Sequence, residues 1–137
     1  MRFETTIDID AAADTVWSVL VDVGRWPEMT PSVTRVERLD DDFGDGSRTR
    51  LHQPRLRPAI WTVTEFDPGR SFVWESRAPG VVTTAGHYLT PGDGTVTVRL
   101  TLDQRGAAAP LIGLLYGRLT RRYLTQEAEG LKRLSES

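Results

Sequence analysis

Two turns rich in proline, glycine and aspartate constrain the fold of this chain more than any other feature. Proline presets the φ angle at which a tight turn begins, and glycine supplies the positive φ that many turns require. Each turn therefore predicts an antiparallel hairpin between the segments that it joins. The turn sequences are DPGR at 67–70 and PGDG at 91–94, and the flanking strands are predicted at residues 60–66, 71–77, 81–90 and 95–103.

The other segments complete a simple order of elements. Residues 3–9 alternate between apolar and polar, as in a half-buried strand, and Asp10 is placed to cap a following helix that ends at Gly24. Residues 25–29 predict a second helical turn, and after Gly106 a long leucine-rich stretch has helical spacing. Two more strands are predicted at residues 33–39 and 48–53.

This order predicts an α+β helix-grip fold in a single domain of residues 1–137. A curved seven-stranded antiparallel sheet wraps around a long C-terminal α-helix, and two short helices follow the first strand. Such a sheet diverges from the helix at one end, which leaves a cavity unless large side chains fill it. Ligand cavities of this type usually enclose about 300–1,000 Å³.

Composition excludes several classes of function. The chain has no cysteine, which rules out disulfides, iron–sulfur clusters and thiol catalysis, and its net charge of −2 gives no support for a nucleic-acid partner. No apolar run reaches the roughly 18 residues of a membrane span, so we expect no stable membrane insertion. The acidic, alternating start is unlike a signal peptide and predicts a cytoplasmic protein. The aspartates at 40–45 lack the spacing of a calcium loop, and we expect neither a metal nor a cofactor.

The hairpin registers predict which side chains face the helix. With Thr90 opposite Thr95, His87 lies on the inner face among apolar neighbours. With Phe66 opposite Ser71, an aromatic inner surface forms that also carries Glu65. The predicted ligand-binding residues, from both hairpins and the last helix, are Trp61, Val63, Phe72, Trp74, Ala85, His87, Val98, Leu100, Leu115, Tyr116 and Leu119.

The chain resembles the START-like (SRPBCC) superfamily of polyketide cyclase/dehydrase type over nearly its whole length. The residues that carry this resemblance are IDIDA at 7–11 leading to Val16-Trp17, VGRWP at 23–27, WTVTEFDP at 61–68 with FVW at 72–74, LTP at 89–91 before Gly94-Thr95, and the closing helix. The resemblance implies a cavity for lipids, polyketides, quinones or similar molecules. It implies no particular reaction, because members include carriers, cyclases and regulators.

Several polar residues are candidates for chemistry. His87 is the predicted catalytic residue, since a neutral imidazole in a dry cavity exchanges a proton with a ligand carbonyl or phenol; the alternative is a core histidine bonded to a neighbour. Tyr123 lies seven residues after Tyr116, on the same side of the last helix. Glu65 is a possible base, although it lies beside a wet turn. The arginines form either a basic rim or a solvated strand face with an exposed His52; they are Arg48, Arg50, Arg55 and Arg57.

Three functions remain open from the sequence. The first is binding of a hydrophobic small molecule by a carrier or sensor. The second is a polyketide cyclase, dehydratase or aromatase that acts on a carbonyl-bearing substrate in the same cavity. The third is a protein-interaction module, in which the last helix packs against a partner or a second copy, so that a homodimer is compatible with the sequence.

Overall fold

The computed structural model describes residues 1–137 and contains one sheet and three α-helices. The strands are β1 (Arg2–Ile9), β2 (Arg35–Arg38), β3 (Arg48–His52), β4 (Ala59–Asp67), β5 (Ser71–Ala78), β6 (Val81–Pro91) and β7 (Val96–Arg105). The helices are α1 (Ala13–Val21), α2 (Trp26–Met29) and α3 (Ala109–Glu136), with a 3₁₀ turn at Val23–Arg25 between the first two. The predicted helix-grip architecture is confirmed.

The seven strands form one antiparallel sheet in the order β1-β7-β6-β5-β4-β3-β2. In the β6–β7 hairpin Leu89 lies opposite Val98, whereas the turn predicted Val96 as its partner. The loop keeps its expected four residues but lies one residue further along the chain, at 92–95. Because the register differs by an even number of residues, every side chain keeps its predicted face.

The β4–β5 hairpin contains an irregularity that the register predicted from the turn did not include. Val63 lies opposite Trp74 as predicted, but the register shifts between Val63 and Glu65. Glu65 consequently pairs with Val73 and is exposed on the outer face of the sheet. The prediction that Glu65 lies on the inner face was wrong, because the extra residue of a β-bulge reverses the facing of the residues that follow it.

The first two helices differ from prediction in their boundaries. Asp10 does not cap α1; Ala12 occupies that position without a side-chain hydrogen bond. The backbone N–H of Asp10 instead donates to Glu136 at the end of α3. The helix ends at Val21, before Gly24, which lies within the 3₁₀ turn.

The C-terminal half of α3 packs closely against α2. Arg133 of α3 donates to the last carbonyls of α2, at 3.2 Å from Glu28 O and 2.8 Å from Met29 O. Gly130 makes this approach possible, since a Cβ at that position would overlap the carbonyl oxygen of Met29. The core then continues through the buried side chains of Leu124, Ala128 and Leu131.

One end of the space between sheet and helices is filled by aromatic rings. Phe43 packs edge-on against Phe72 with ring centroids 5.1 Å apart, and Trp17 lies 5.7 Å from Phe66. The first pair is edge-to-face and the second is tilted, and aromatic contacts at these centroid distances are stabilising. The aromatic end, as we call these four residues, leaves open only the opposite end, where β5 finishes and α3 begins.

The N-terminal half of α3 does not bury the face that the leucine spacing predicted. Leu111, Leu114 and Leu115 are exposed, and Leu115, which was predicted to bind the ligand, does not lie on the cavity wall described below. Gly113 is buried instead, against the side chain of Met1. Two apolar faces compete in this part of the helix, and sequence spacing alone does not show which of them faces inward.

Candidate active site

A cavity of about 390 Å³ lies between the open end of the sheet and α3. This volume is at the lower end of the range for ligand sites, so it suits a compact molecule better than a long acyl chain. Its walls are mostly apolar and come from every strand except β1 and β2. The lining side chains include Trp26, Leu51, Trp61, Trp74, Ala85, His87, Leu100, Gln104, Ile112, Tyr116, Thr120, Tyr123, Leu124 and Glu127.

The structure brings some of the predicted ligand-binding residues to the cavity and not others. On its wall are Trp61, Trp74, Ala85, His87, Leu100 and Tyr116. Val63, Phe72 and Val98 point inward but are fully buried in the core beyond the wall. Leu119 is half-buried and lies outside the lining. The inner face is therefore longer than the cavity, because the aromatic end fills part of it.

His87 is held rigidly at the cavity wall. It is only 3% exposed, and its ring stacks on Phe72 with centroids 4.0 Å apart and an interplanar angle of 13°. Nδ1 lies 3.1 Å from the backbone carbonyl oxygen of Phe72. A carbonyl only accepts, so Nδ1 carries the hydrogen and Nε2 is the nitrogen left for chemistry.

Glu127 faces the free nitrogen of His87 from α3. Its Oε1 lies 3.4 Å from His87 Nε2 and has no hydrogen-bond partner. The glutamate follows Tyr123 by four residues, which puts both on one helical face. Sequence reasoning named Tyr123 and missed Glu127, although this spacing was a usable signal. A His–Glu pair in a dry cavity is suited to moving a proton, and catalytic pairs often stand slightly apart until substrate binds.

Two further polar atoms on lining residues have no partner within the protein. They are the indole Nε1 of Trp61, a donor, and the side-chain Oε1 of Gln104, an acceptor. Leaving a buried polar group unpaired costs about 1–3 kcal/mol, so a hydrogen-bonding partner for either atom would stabilise the complex with a ligand. Both residues line the cavity, and a ligand that displaces their side chains slightly would meet one donor and one acceptor beside the apolar wall.

The mouth of the cavity is covered by the loop between β3 and β4. Arg55, Leu56 and Arg57 from this loop border the cavity together with the half-exposed Tyr116. Tyr123 donates its hydroxyl hydrogen to the carbonyl of Pro54 and so ties the loop to α3. Arg55 has a φ of 68°, a left-handed conformation that costs a non-glycine residue some energy and is typical of functional segments.

The remaining arginines and His52 belong to the outer face. His52 is not free in solvent as predicted, because its Nε2 lies 2.7 Å from Glu37 Oε1 across the β2–β3 pair. Arg50 also bonds Glu37, while Arg48 bonds Asp40. Only Arg55 and Arg57 of the predicted basic rim reach the cavity.

Replacing Glu37 is expected to change the response of folding to acid. The hydrogen bond from His52 lowers the pKa of the Glu37 carboxyl below its ordinary value of 4.5. The stability that it contributes is therefore complete above that value and is lost as the pH falls through the lowered pKa. Denaturant unfolding between about pH 6 and pH 3 should show a shallower acid loss for Glu37→Gln than for wild type. The exposed Glu65→Gln variant is the control, and an equal change there would contradict the assignment.

Comparisons with known proteins give the same fold and a family. A family model described as "Polyketide cyclase / dehydrase and lipid transport" matches residues 1–136. No curated protein sequence gives a significant match. No helix in the structure combines the length and apolar character needed to traverse a bilayer.

Solved structures superpose closely at low identity. An aromatase/cyclase, Zhui from Streptomyces sp. R1128, is 24% identical with a TM-score of 0.81, over 99% of this chain and 93% of the other. A START superfamily protein from Mycobacterium smegmatis is 19% identical with a TM-score of 0.75, over 96% and 97% of the two chains. Norcoclaurine synthase from Thalictrum flavum, solved with dopamine and hydroxybenzaldehyde, is 14% identical with a TM-score of 0.76, over 98% and 85%.

Proposed function

This chain belongs to the polyketide cyclase/dehydrase and lipid transport family, and on that premise we propose that it catalyses the condensation or dehydration of a hydrophobic carbonyl compound. Its cavity binds a hydrophobic small molecule, as the family and the fold indicate. The observation that carries the proposal beyond binding is the position of Glu127 Oε1, 3.4 Å from His87 Nε2 and without another partner. A carrier has no need of such a pair.

In the reacting form of the pair, Glu127 is a carboxylate and His87 carries a second proton on Nε2 in addition to the one on Nδ1, so the pair supplies a base and an acid that restore each other. Glu127 removes a proton from the carbon next to the ligand carbonyl, and an enolate forms. In a dehydration the carbon–oxygen bond of a β-hydroxyl then breaks, and the proton on His87 Nε2 leaves with the hydroxyl as water. In a cyclisation the enolate carbon bonds to a second carbonyl carbon, whose oxygen takes that same proton. Glu127 finally returns its proton to Nε2, so no external acid, oxidant or cofactor is required.

The cavity wall supports an aromatic or polycarbonyl ligand rather than a saturated lipid. Trp26, Trp61 and Trp74 offer flat faces to a planar ring system. Trp61 Nε1 is a donor for a ligand oxygen, and Gln104 Oε1 is an acceptor for a ligand hydroxyl. A compact phenolic or polyketonic molecule has both groups, and a site built to bond them discriminates strongly against analogues that lack them.

The decisive experiment uses an aromatic β-hydroxyketone with a naphthyl group as the probe. Wild-type protein should convert it to the conjugated enone, followed by absorbance. Glu127→Gln should lower kcat by about a hundredfold or more, since positioned proton transfer contributes roughly 10²–10⁴ to a rate. Glu129→Gln, an exposed carboxyl two residues further along the same helix, should leave the rate unchanged.

Binding is measured separately with the matching ketone that lacks the hydroxyl. Its affinity should stay within about threefold in Glu127→Gln, because the probe keeps its apolar contacts. If wild-type protein binds this ketone and yet does not accelerate the dehydration over buffer, the protein is a carrier. Equal rates for wild type and Glu127→Gln would also overturn the proposal. The cytoplasmic location and the absence of a nucleic-acid partner stay predictions from the sequence.

A further inference from the structure

The first turns of α3 carry a group of large apolar side chains that nothing in the chain covers. Leu111 is 58% exposed, Leu114 80% and Leu115 66%. Their spacing of three and four residues places them on one stripe of the helix. Isolated exposed leucines are common, but a contiguous group of them marks a surface that contacts something else.

A group of arginines surrounds these leucines. Arg118, Arg121 and Arg122 continue the same stripe along α3, and all three are exposed. Residues 53–58 and 105–122 together contain six arginines and no acidic residue. The rest of the chain then has 11 basic and 19 acidic residues, a net charge of −8 against +6 here. We call the stripe and the neighbouring loop the basic-apolar face.

The basic-apolar face borders the mouth of the cavity. Tyr116, which follows Leu115, lines the cavity and is 39% exposed, and Leu56 of the covering loop is exposed beside it. A hydrophobic ligand that enters here passes over an apolar rim. The partner of this face is therefore in contact with the route by which the ligand enters.

We propose that the basic-apolar face docks on an anionic lipid bilayer, with the cavity mouth against the membrane. Arginines beside protruding leucines are the composition of helices that lie in a membrane interface, where the apolar side chains enter the acyl region and the cations meet lipid phosphates. A second copy of the chain fits poorly, because a two-fold interface brings the six arginines of each copy together. The face is a convex helix without a groove, and a fluid bilayer needs no shape complementarity. Docking is independent of whether the cavity catalyses a reaction.

Vesicle flotation with the full chain tests the docking. We expect binding to vesicles of phosphatidylcholine mixed with phosphatidylglycerol, no binding to phosphatidylcholine alone, and a loss of at least about tenfold in affinity between roughly 0.05 and 0.5 M salt. Arg118→Gln with Arg122→Gln should weaken binding about 25-fold, since each arginine near an anionic surface contributes about fivefold. Leu114→Ser with Leu115→Ser should weaken it by about tenfold or more.

Matched controls distinguish docking by this face from general effects of surface charge and hydrophobicity. Arg70→Gln, in the turn at the opposite end of β5, and Ile60→Ser, on the outer face of the sheet, should each leave vesicle affinity within about twofold. The proposal is overturned if anionic vesicles do not bind, or if the controls lose as much affinity as the face variants. It is also overturned if size-exclusion chromatography shows that this face binds a second copy of the chain or an acidic protein in place of lipid. In either case the leucine variants would abolish that complex.

Discussion

Gly130→Ala is expected to destabilise the fold by about 3 kcal/mol, lowering the melting temperature by roughly 10 °C. The added methyl would overlap the carbonyl oxygen of Met29. That oxygen belongs to the backbone of α2 and is already bonded by Arg133, so it has no easy way to move. Helix α3 must shift away, and the packing of Leu131 and Ala128 is disturbed with it. Thermal and denaturant unfolding measure the effect.

Gly117→Ala is the matched control on the same helix. A methyl group there meets only the ring of Phe3, at an ordinary contact distance of 3.9 Å. Since alanine favours helix over glycine by roughly 1 kcal/mol, this variant should be as stable as wild type or slightly more stable. If Gly130→Ala also gained stability, α3 would not be held against α2 as described.

His87→Phe is expected to lower turnover of the naphthyl β-hydroxyketone by at least about a hundredfold while the protein stays folded. Phenylalanine keeps the ring and its stack on Phe72, but it has no nitrogen to receive or deliver a proton. The carbonyl of Phe72 loses the Nδ1 donor, so stability should fall by about 1–3 kcal/mol. Turnover and unfolding are measured on the same preparation.

The other histidine provides the control for this substitution. His52→Phe changes a side chain on the outer face, bonded to Glu37 and away from the cavity lining. Its turnover should match that of wild type. If affinity for the non-reactive ketone fell in His87→Phe as steeply as turnover, His87 would bind the ligand and not move its proton.

The fold was predictable from sequence because local turn chemistry and strand alternation agree with each other along the chain. The two proline–glycine turns placed four strands correctly, and alternation put His87 on the inner face. The bulge after Val63 was missed because the register was taken from the turn alone, although two consecutive polar residues, Thr64 and Glu65, interrupt the alternation between Val63 and Phe66. One inserted position was enough to move Glu65 from the expected inner face to solvent.

The cavity was harder to predict than the fold. Its extent depends on which end of the inner face the aromatic rings fill, and Phe43 contributes to that packing from an acidic loop that reads as a solvated turn. Leu115 was misplaced because α3 has two apolar faces and only contacts with the sheet select between them. To predict that Glu127 faces the cavity, one needs the rotation of α3 about its own axis. The positions of Tyr116 and Tyr123 on the cavity wall together define that rotation.

The aromatic end has a consequence for selectivity. Because Trp17, Phe43, Phe66 and Phe72 fill that side, a ligand that enters from the mouth is stopped at a fixed depth. The inner end of such a ligand would then lie beside His87 and Glu127, and its outer end would stay near the mouth of the cavity. Under the proposed function, the distance from this closed wall to His87 and Glu127 would decide which of several similar carbonyls reacts, so the depth of the cavity would set the regiochemistry.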